Sequence, residues 1–261
     1  MNGISFIVTC RNDGYGGTPE ELIKRTKIFC DSVFDLGIEH EIVFVEWDPV
    51  FNKKYIVEEF KTKATLKHIV VDAELQSLLD AERKEKSLPV YEYLAKEIGV
   101  TYAKYDNIIL TNPDNIFIRD WFFETFMMLD SGKIVIATRT DIHRSVLNRE
   151  SMNYNDLPRM THIPIGQASG DFLGIKKQIF LDNGGYIKVH ANWDVDREFK
   201  DRLRNTGHYI YNTLYVLPHI DHDQSGERED FTIRPSQKLA KEMQPISQSI
   251  IDKMYSYVEI K

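Results

Sequence analysis

Three groups of polar residues in this chain have types and spacings that suit chemistry. The first is Asn112-Pro113-Asp114-Asn115, which follows the apolar run Ile108-Ile109-Leu110. A carboxylate set just past a buried strand by a rigid Asn-Pro step suits a hard divalent cation. Mg2+ and Mn2+ are often held by only one or two carboxylates, with substrate phosphates completing the shell. The same residues also make an ordinary Asx turn. The second group, His219, Asp221, His222 and Asp223, puts two imidazoles and two carboxylates within five residues. Both are metal-ligand types. Pro218 and the lack of helical periodicity argue against a zincin-type helix, and an ordinary solvated loop is the other reading. The third is Asp194 and Asp196 at the head of a helical pattern. They either complement the helix dipole, or one of them faces a cleft as a general base.

The elements that must position these groups alternate along the chain. Ile4 to Thr9 is a nearly continuous apolar run, as are residues 41–47, 67–71, 107–111 and 133–138. Such runs suit strands buried on both faces, as in parallel sheets. Between them lie helical patterns. The first has Thr18 as N-cap, Pro19 at N1, Glu21 at N3 and Gly37 as its stop. Others are expected at 53–61, 88–104 and 120–130. This alternation predicts an α/β sandwich with a mainly parallel central sheet. Ligands in such sheets bind beyond the carboxyl ends of the strands. The stretches Arg11-Asn12-Asp13, Glu46-Trp47-Asp48 and Asn112-Pro113-Asp114 all fall there. Arg11–Gly17, "RNDGYGG", fits either a phosphate-cradling loop before a helix N-terminus or a plain turn. It matches neither GxGxxG nor GxxxxGK[ST]. Glu46 suits a base imide or a ribose hydroxyl, or is simply a solvated strand end.

Residues 140–168 are polar, with little periodicity, and read as a long functional loop. A strand at 169–175, a short helix closed by Gly184-Gly185, an amphipathic helix at 193–207, a strand at 208–217 and a C-terminal helix at 236–257 complete the pattern.

Bulk properties narrow the function classes. The chain has 261 residues, 42% hydrophobic, with 33 basic and 40 acidic residues and a net charge of −7. That is a globular composition, and without a Lys/Arg-rich run it predicts no nucleic-acid partner. Two cysteines, Cys10 and Cys30, imply neither a disulfide framework nor a zinc cluster. No apolar stretch approaches the ~18 residues of a membrane span, so there is no expected transmembrane segment. The opening residues lack a signal peptide's features. A soluble, cytoplasmic protein is expected.

The order of the motifs carries more than any one of them. "FIVTCRND", "VFVEWDP" and "YLAKEIGVTYAKYDNIILTNPDNIF", followed by "NGGYIKVHANWDVDREFKDRLRNTGHYI", resembles family 2-like glycosyltransferases of the GT-A fold. The "RNDGYGG" and "VEWDP" pieces look like a subgroup from large viruses and microbial eukaryotes. The resemblance spans roughly residues 4–225. It implies a GT-A type, Rossmann-like α/β/α sandwich, with a glycosyltransferase domain over 1–232 and a C-terminal helical extension over 233–261. Residues 1–118 would form the nucleotide-binding half and 119–232 the acceptor half.

The resemblance also assigns roles. Thr9, Arg11 and Asp13 would line the nucleotide pocket, Glu46 would contact the base, and Lys96 would lie near the diphosphate. Asn112 takes the first acidic position of an Asp-x-Asp motif and Asp114 the second, metal-binding one. Gly170 and Asp171 would lie beside sugar and acceptor. Asp194 matches the catalytic aspartate, and His219 or His222 the late metal ligand. Asn112 replaces an Asp, Glu97 the usual Asn and Trp193 the usual Glu. The implied activity is inverting transfer from a nucleotide-diphosphate sugar, UDP-linked, to a glycan or glycoprotein acceptor, with Mn2+ or Mg2+ as cofactor. A sugar-nucleotide nucleotidyltransferase and a non-catalytic sugar-binding protein are the alternatives.

Overall fold

The computed structural model describes residues 3–14, 16–83, 88–148, 165–167, 170–222 and 243–261. Strand β1 (Ile4–Cys10) is buried along its whole length. It is flanked in parallel by β2 (His40–Trp47) and by β4 (Asn107–Thr111), and β3 (Leu66–Val71) adds in parallel to β2. Alternate residues separate the two faces, as the two-residue period of a strand requires. Phe6, Val8 and Phe44 enter one core cluster, while Ile7, Val43, Val45 and Trp47 enter the other. The continuous apolar runs follow from this double burial.

Helix α1 (Pro19–Asp35) covers the first face. Its capping box is complete: Thr18 accepts from the Glu21 N–H, and the Glu21 side chain accepts from the Thr18 N–H. Helix α4 (Arg119–Asp130) packs on the same side through Phe122, Phe126 and Leu129. On the other face lie α2 (Ala73–Glu82) and α3 (Glu92–Tyr102), with Leu75, Leu79, Leu94 and Ile98 in the core. Gly99 lets α3 approach β1 closely, because a Cβ there would sit 2.5 Å from Ile7 Cγ2.

Beyond β4 the sheet turns antiparallel. β7 (Phe172–Lys176) pairs with β4 and with β5 (Ile134–Ile142). β5 also carries β6 (Ile165–Gln167), antiparallel. The long β8 (Ile210–Ile220) runs parallel to β5 along its other edge. Between β7 and β8 come α5 (Lys177–Asp182) and α6 (Val195–Asn205).

Several local expectations differ from the structure. The helix expected at 53–61 is only a 3-10 turn, Ile56–Glu58, because the Ile56 N–H is drawn to the Glu46 carboxylate at 3.1 and 3.2 Å. Helix α2, capped by Asp72, was not anticipated. The loop expected over 140–168 instead continues β5 to Ile142; residues 149–164 and 168 of it, and residue 169 of the strand expected next, lie outside the described residues. The C-terminal helix resolves into α7 (Gln248–Ile251), a 3-10 turn and β9 (Val258–Ile260), which pairs antiparallel with the edge of β3. Residues 236–242 of that expected helix lie outside the description.

Candidate functional site

The turn after β4 is stapled to the end of β8. The Ile116 N–H donates to Pro218 O at 2.8 Å, and the Ile220 N–H donates to Asp114 O at 2.8 Å. The backbone bridge between Asn115 and His219 lies between these bonds. This register drives His219 against Asp114. His219 Nε2 lies 3.3 Å from Asp114 Oδ2, and His222 Nε2 lies 3.0 Å from the same oxygen. All three side chains are buried, and their ligand atoms lie within 4.8 Å of one another. The other carboxylate oxygen, Asp114 Oδ1, is buried with no hydrogen-bond partner among the described residues. Leaving such an atom unsatisfied is costly. Two imidazoles and one carboxylate with an unused oxygen therefore fit a divalent metal. Asp223, the fourth member of the sequence cluster, lies outside the described residues.

The electrostatics are those of a coupled acid–imidazole group. Burial alone would raise Asp114, but His219 and His222 hold it well below the ordinary carboxylate range. Burial would lower His219, but Asp114 and Asp141 raise it to about 9. Asp141 falls to about 2, because contacts with His219 and Arg139 outweigh its burial.

A second set of contacts runs away from Asp114 along the sheet rim. Lys96 is fully buried. Its ammonium donates to Glu92 at 2.6 Å, to Asn112 Oδ1 at 2.8 Å and to Gly170 O at 2.8 Å. Asn112 Nδ2 in turn donates to Asp171 Oδ1 at 2.9 Å. Asn115 and Thr111 both donate to Asp171 O, at 3.0 and 2.8 Å. Lys96, Asn112, Asp114, Gly170, Asp171, His219 and His222 thus gather at one place, although they come from α3, β4, β8 and the segment before β7.

The carboxyl ends of β1 and β2 lie on the same rim, with Cys10 opposite Glu46 in the sheet. Thr9 Oγ1 is buried and has no hydrogen-bond partner among the described residues. Arg11 is tied to Asp48, 2.9 Å away, and Asp48 itself has φ 40°. Asp13 lies 3.9 Å from Arg11. Gly16 of the Gly-rich loop lies against His222 and is held there by Arg25, buried in α1, which donates to Gly16 O at 3.0 Å. A Cβ on Gly16 would collide with the His222 ring. Glu46 departs from expectation. It is fully buried, and its carboxylate is engaged by the Ile56 N–H and by His68 at 3.1 Å. Among the described residues it therefore braces the loop after β2.

Asp194 stands at the N-cap of α6 with φ 58°, and its side chain makes no capping hydrogen bond. A non-glycine residue held in the left-handed region is strained, and such strain gathers at functional sites. Its carboxylate is 39% exposed, with Arg197 3.9 Å away. Asp196 lies closer to the gathered residues: a Cβ on Gly170 would be 3.9 Å from its carboxylate and 2.9 Å from the Tyr93 hydroxyl.

Arg139 and Asp141 were not anticipated. They alternate on β5, so they project from one face of a strand. The signal was a period of two beyond Thr138, hidden where the polarity suggested a loop. The buried Arg25 was equally hidden: its spacing places it on the buried stripe of α1 between Leu22 and Phe29, but its charge reads as solvent-facing.

No protein-family model matches the chain, and no curated protein matches it. Solved structures do. S. aureus TarS in complex with UDP-GlcNAc superposes with a TM-score of 0.52 at 13% identity, covering 85% of this chain. A mutant of Drosophila beta-1,4-galactosyltransferase 7, in complex with manganese, UDP-Gal and xylobiose, gives 0.48 at 14% identity over 96% of this chain and 79% of that one. This chain spans 59% of the TarS chain. The mixed α/β fold and its mostly parallel sheet are those of GT-A glycosyltransferases. No described helix is long and apolar enough to cross a membrane.

Proposed function

We propose that this chain is a metal-dependent inverting glycosyltransferase. It would move a sugar from a nucleotide-diphosphate sugar, UDP-linked, to a hydroxyl of a glycan or glycoprotein acceptor. The carrying observation is the buried Asp114–His219–His222 group, whose Asp114 Oδ1 has no hydrogen-bond partner among the described residues, set at the carboxyl rim of a GT-A sheet. The TarS structure of the same fold, which holds UDP-GlcNAc, supports a nucleotide-sugar donor.

Asp114, His219 and His222 would hold the metal, which when bound supplies charge neutralisation for the diphosphate leaving group. A nitrogen-rich donor set favours Mn2+ over Mg2+, which prefers oxygen ligands. Lys96 is pre-set by Glu92, Asn112 and Gly170 O, so its positive charge needs no reorganisation to act near the diphosphate. Thr9, Arg11 and Asp13 would line the nucleotide pocket at the ends of β1. Gly170 and Asp171 would lie beside sugar and acceptor. In the transfer, the acceptor oxygen attacks the anomeric carbon from the face opposite the diphosphate. One C–O bond forms as the other breaks, the acceptor proton passes to an aspartate, and the configuration inverts.

Asp194 is the aspartate expected in that role. The proximity of Asp196 to Gly170 and Tyr93 favours Asp196 as the second reading. A thermal-shift screen of nucleotide sugars with and without Mn2+ tests the function. The expected result is a donor-dependent rise that requires Mn2+ and is absent in Asp114→Ala. Stabilisation that is the same in Asp114→Ala and without metal would refute the metal-dependent reading. Pyrophosphate release from a nucleoside triphosphate would instead indicate a nucleotidyltransferase.

A further inference from the structure

We infer that Asp141 is the positioning residue for His219, and that Arg139 fixes Asp141 in turn; this rests on reading Asp114, His219 and His222 as a metal site. Asp141 and His219 are cross-strand partners in the parallel β5–β8 pair, between Thr140 opposite Pro218 and Ile142 opposite Ile220. His219 Nδ1 lies 2.9 Å from Asp141 Oδ1, while Nε2 of the same ring faces Asp114. The contact is an ion-pair approach, with Nδ1 making no aligned hydrogen bond among the described residues. The carboxylate's charge beside Nδ1 favours the proton at that nitrogen and leaves the lone pair of Nε2 for a metal.

Asp141 does not stand alone. Arg139 Nε lies 2.7 Å from Asp141 Oδ1, and Nη1 of the same guanidinium lies 3.3 Å from Asp171 Oδ2. The other oxygen of Asp171 accepts from Asn112, which accepts from Lys96. One guanidinium therefore joins the side chain that orients the imidazole to the side chains that place Lys96. Arg139 and Asp141 sit two apart on one strand, so a single backbone segment delivers both. The planar fork of an arginine spans two carboxylates in a way a lysine does not.

Partners of this kind typically contribute 10- to 100-fold to metal affinity. Calorimetric titration of Mn2+ alone into the full chain should therefore show weakening of about that size in Asp141→Ala. Asp141→Asn, which keeps an accepting oxygen but loses the charge, should weaken binding less. Arg139→Gln should weaken Mn2+ binding while leaving Asp114, His219 and His222 in place. A second measurement needs no variant. Nitrogen-15 NMR of the histidine rings in the wild-type chain loaded with diamagnetic Zn2+ should show His219 protonated at Nδ1 and metal-bound at Nε2.

Wild-type-like Mn2+ affinity in Asp141→Ala would overturn the inference and leave the metal site standing. His219 protonated at Nε2 in the Zn2+-loaded protein would overturn it equally. A wild-type chain that binds neither ion would overturn both the inference and the site on which it rests.

Discussion

Asp114 lies beside two imidazoles yet keeps one oxygen without a hydrogen-bond partner among the described residues. Asp114→Asn retains the shape and removes the charge, so Mn2+-dependent UDP binding should fall below detection by calorimetry. The two α6 carboxylates separate by the same logic. A general base contributes roughly 10²- to 10⁴-fold in rate. The true base changed to Asn should lose that factor in kcat with donor affinity retained, and the other variant should stay near wild type. Steady-state kinetics on Asp194→Asn and Asp196→Asn decides which is which. The buried group also has a pH signature in metal-free protein. His219 is raised from 6.5 to about 9, so its contribution to stability is complete below 6.5 and is lost as pH rises through about 9. Asp114 is depressed from 3.8, so its contribution is present above 3.8 and is lost as pH falls through its folded value. Thermal melts should therefore hold a plateau in the mildly acidic range and decline toward pH 9. Mn2+ affinity should rise with pH over the same interval, because the metal must displace a proton from His219.

At the scale of elements, the contacts that matter are those between a helix and the strand beneath it. At Gly99, α3 lies close against β1 and β2, with Ile7 and Val45 methyl groups 2.5 and 3.1 Å from where a Cβ would sit. Gly99→Ala improves helix propensity but overpacks this contact. Overpacking costs roughly 1–3 kcal/mol, so urea unfolding should show net destabilisation. Since α3 also carries Lys96, the same variant should lower donor affinity. The capping box, read from Thr18-Pro19-Glu20-Glu21 alone, is present in full. It was legible because all its partners lie within one turn. The 3-10 turn at Ile56–Glu58 was not legible, because its backbone answers to Glu46 on a separate strand.

For the whole molecule, the edges of the sheet decide what is protected. β9 covers β3, with Ile69 opposite Ile260 and Val71 opposite Val258. The Lys261 N–H continues this pairing to His68 O at 3.0 Å. Deleting residues 258–261 would expose a buried-type strand with unpaired backbone groups, a template for self-association. The expected outcome is a lower melting temperature, with higher-order species by size-exclusion chromatography. The gathered site, by contrast, draws on both ends of the chain's order: Lys96, Asn112 and Asp114 from the parallel half, and Asp171, His219 and His222 from the part that follows.

By itself the sequence determined the parallel strands and helices α1, α3, α4 and α6, the rim at which polar residues collect, and Asp114 and the two histidines as ligand types. These follow from periodicity, capping and turn chemistry, which act over a few residues. Tertiary structure decided which of them meet. The bridge between Asn115 and His219 puts Asp114 against the imidazoles. The β5–β8 register sets Asp141 opposite His219. Burial turns Glu46 into a brace. Pairing between distant strands depends on register, and shifting a strand by one residue turns every side chain to its other face. That is why the ligand types were legible and their partners were not.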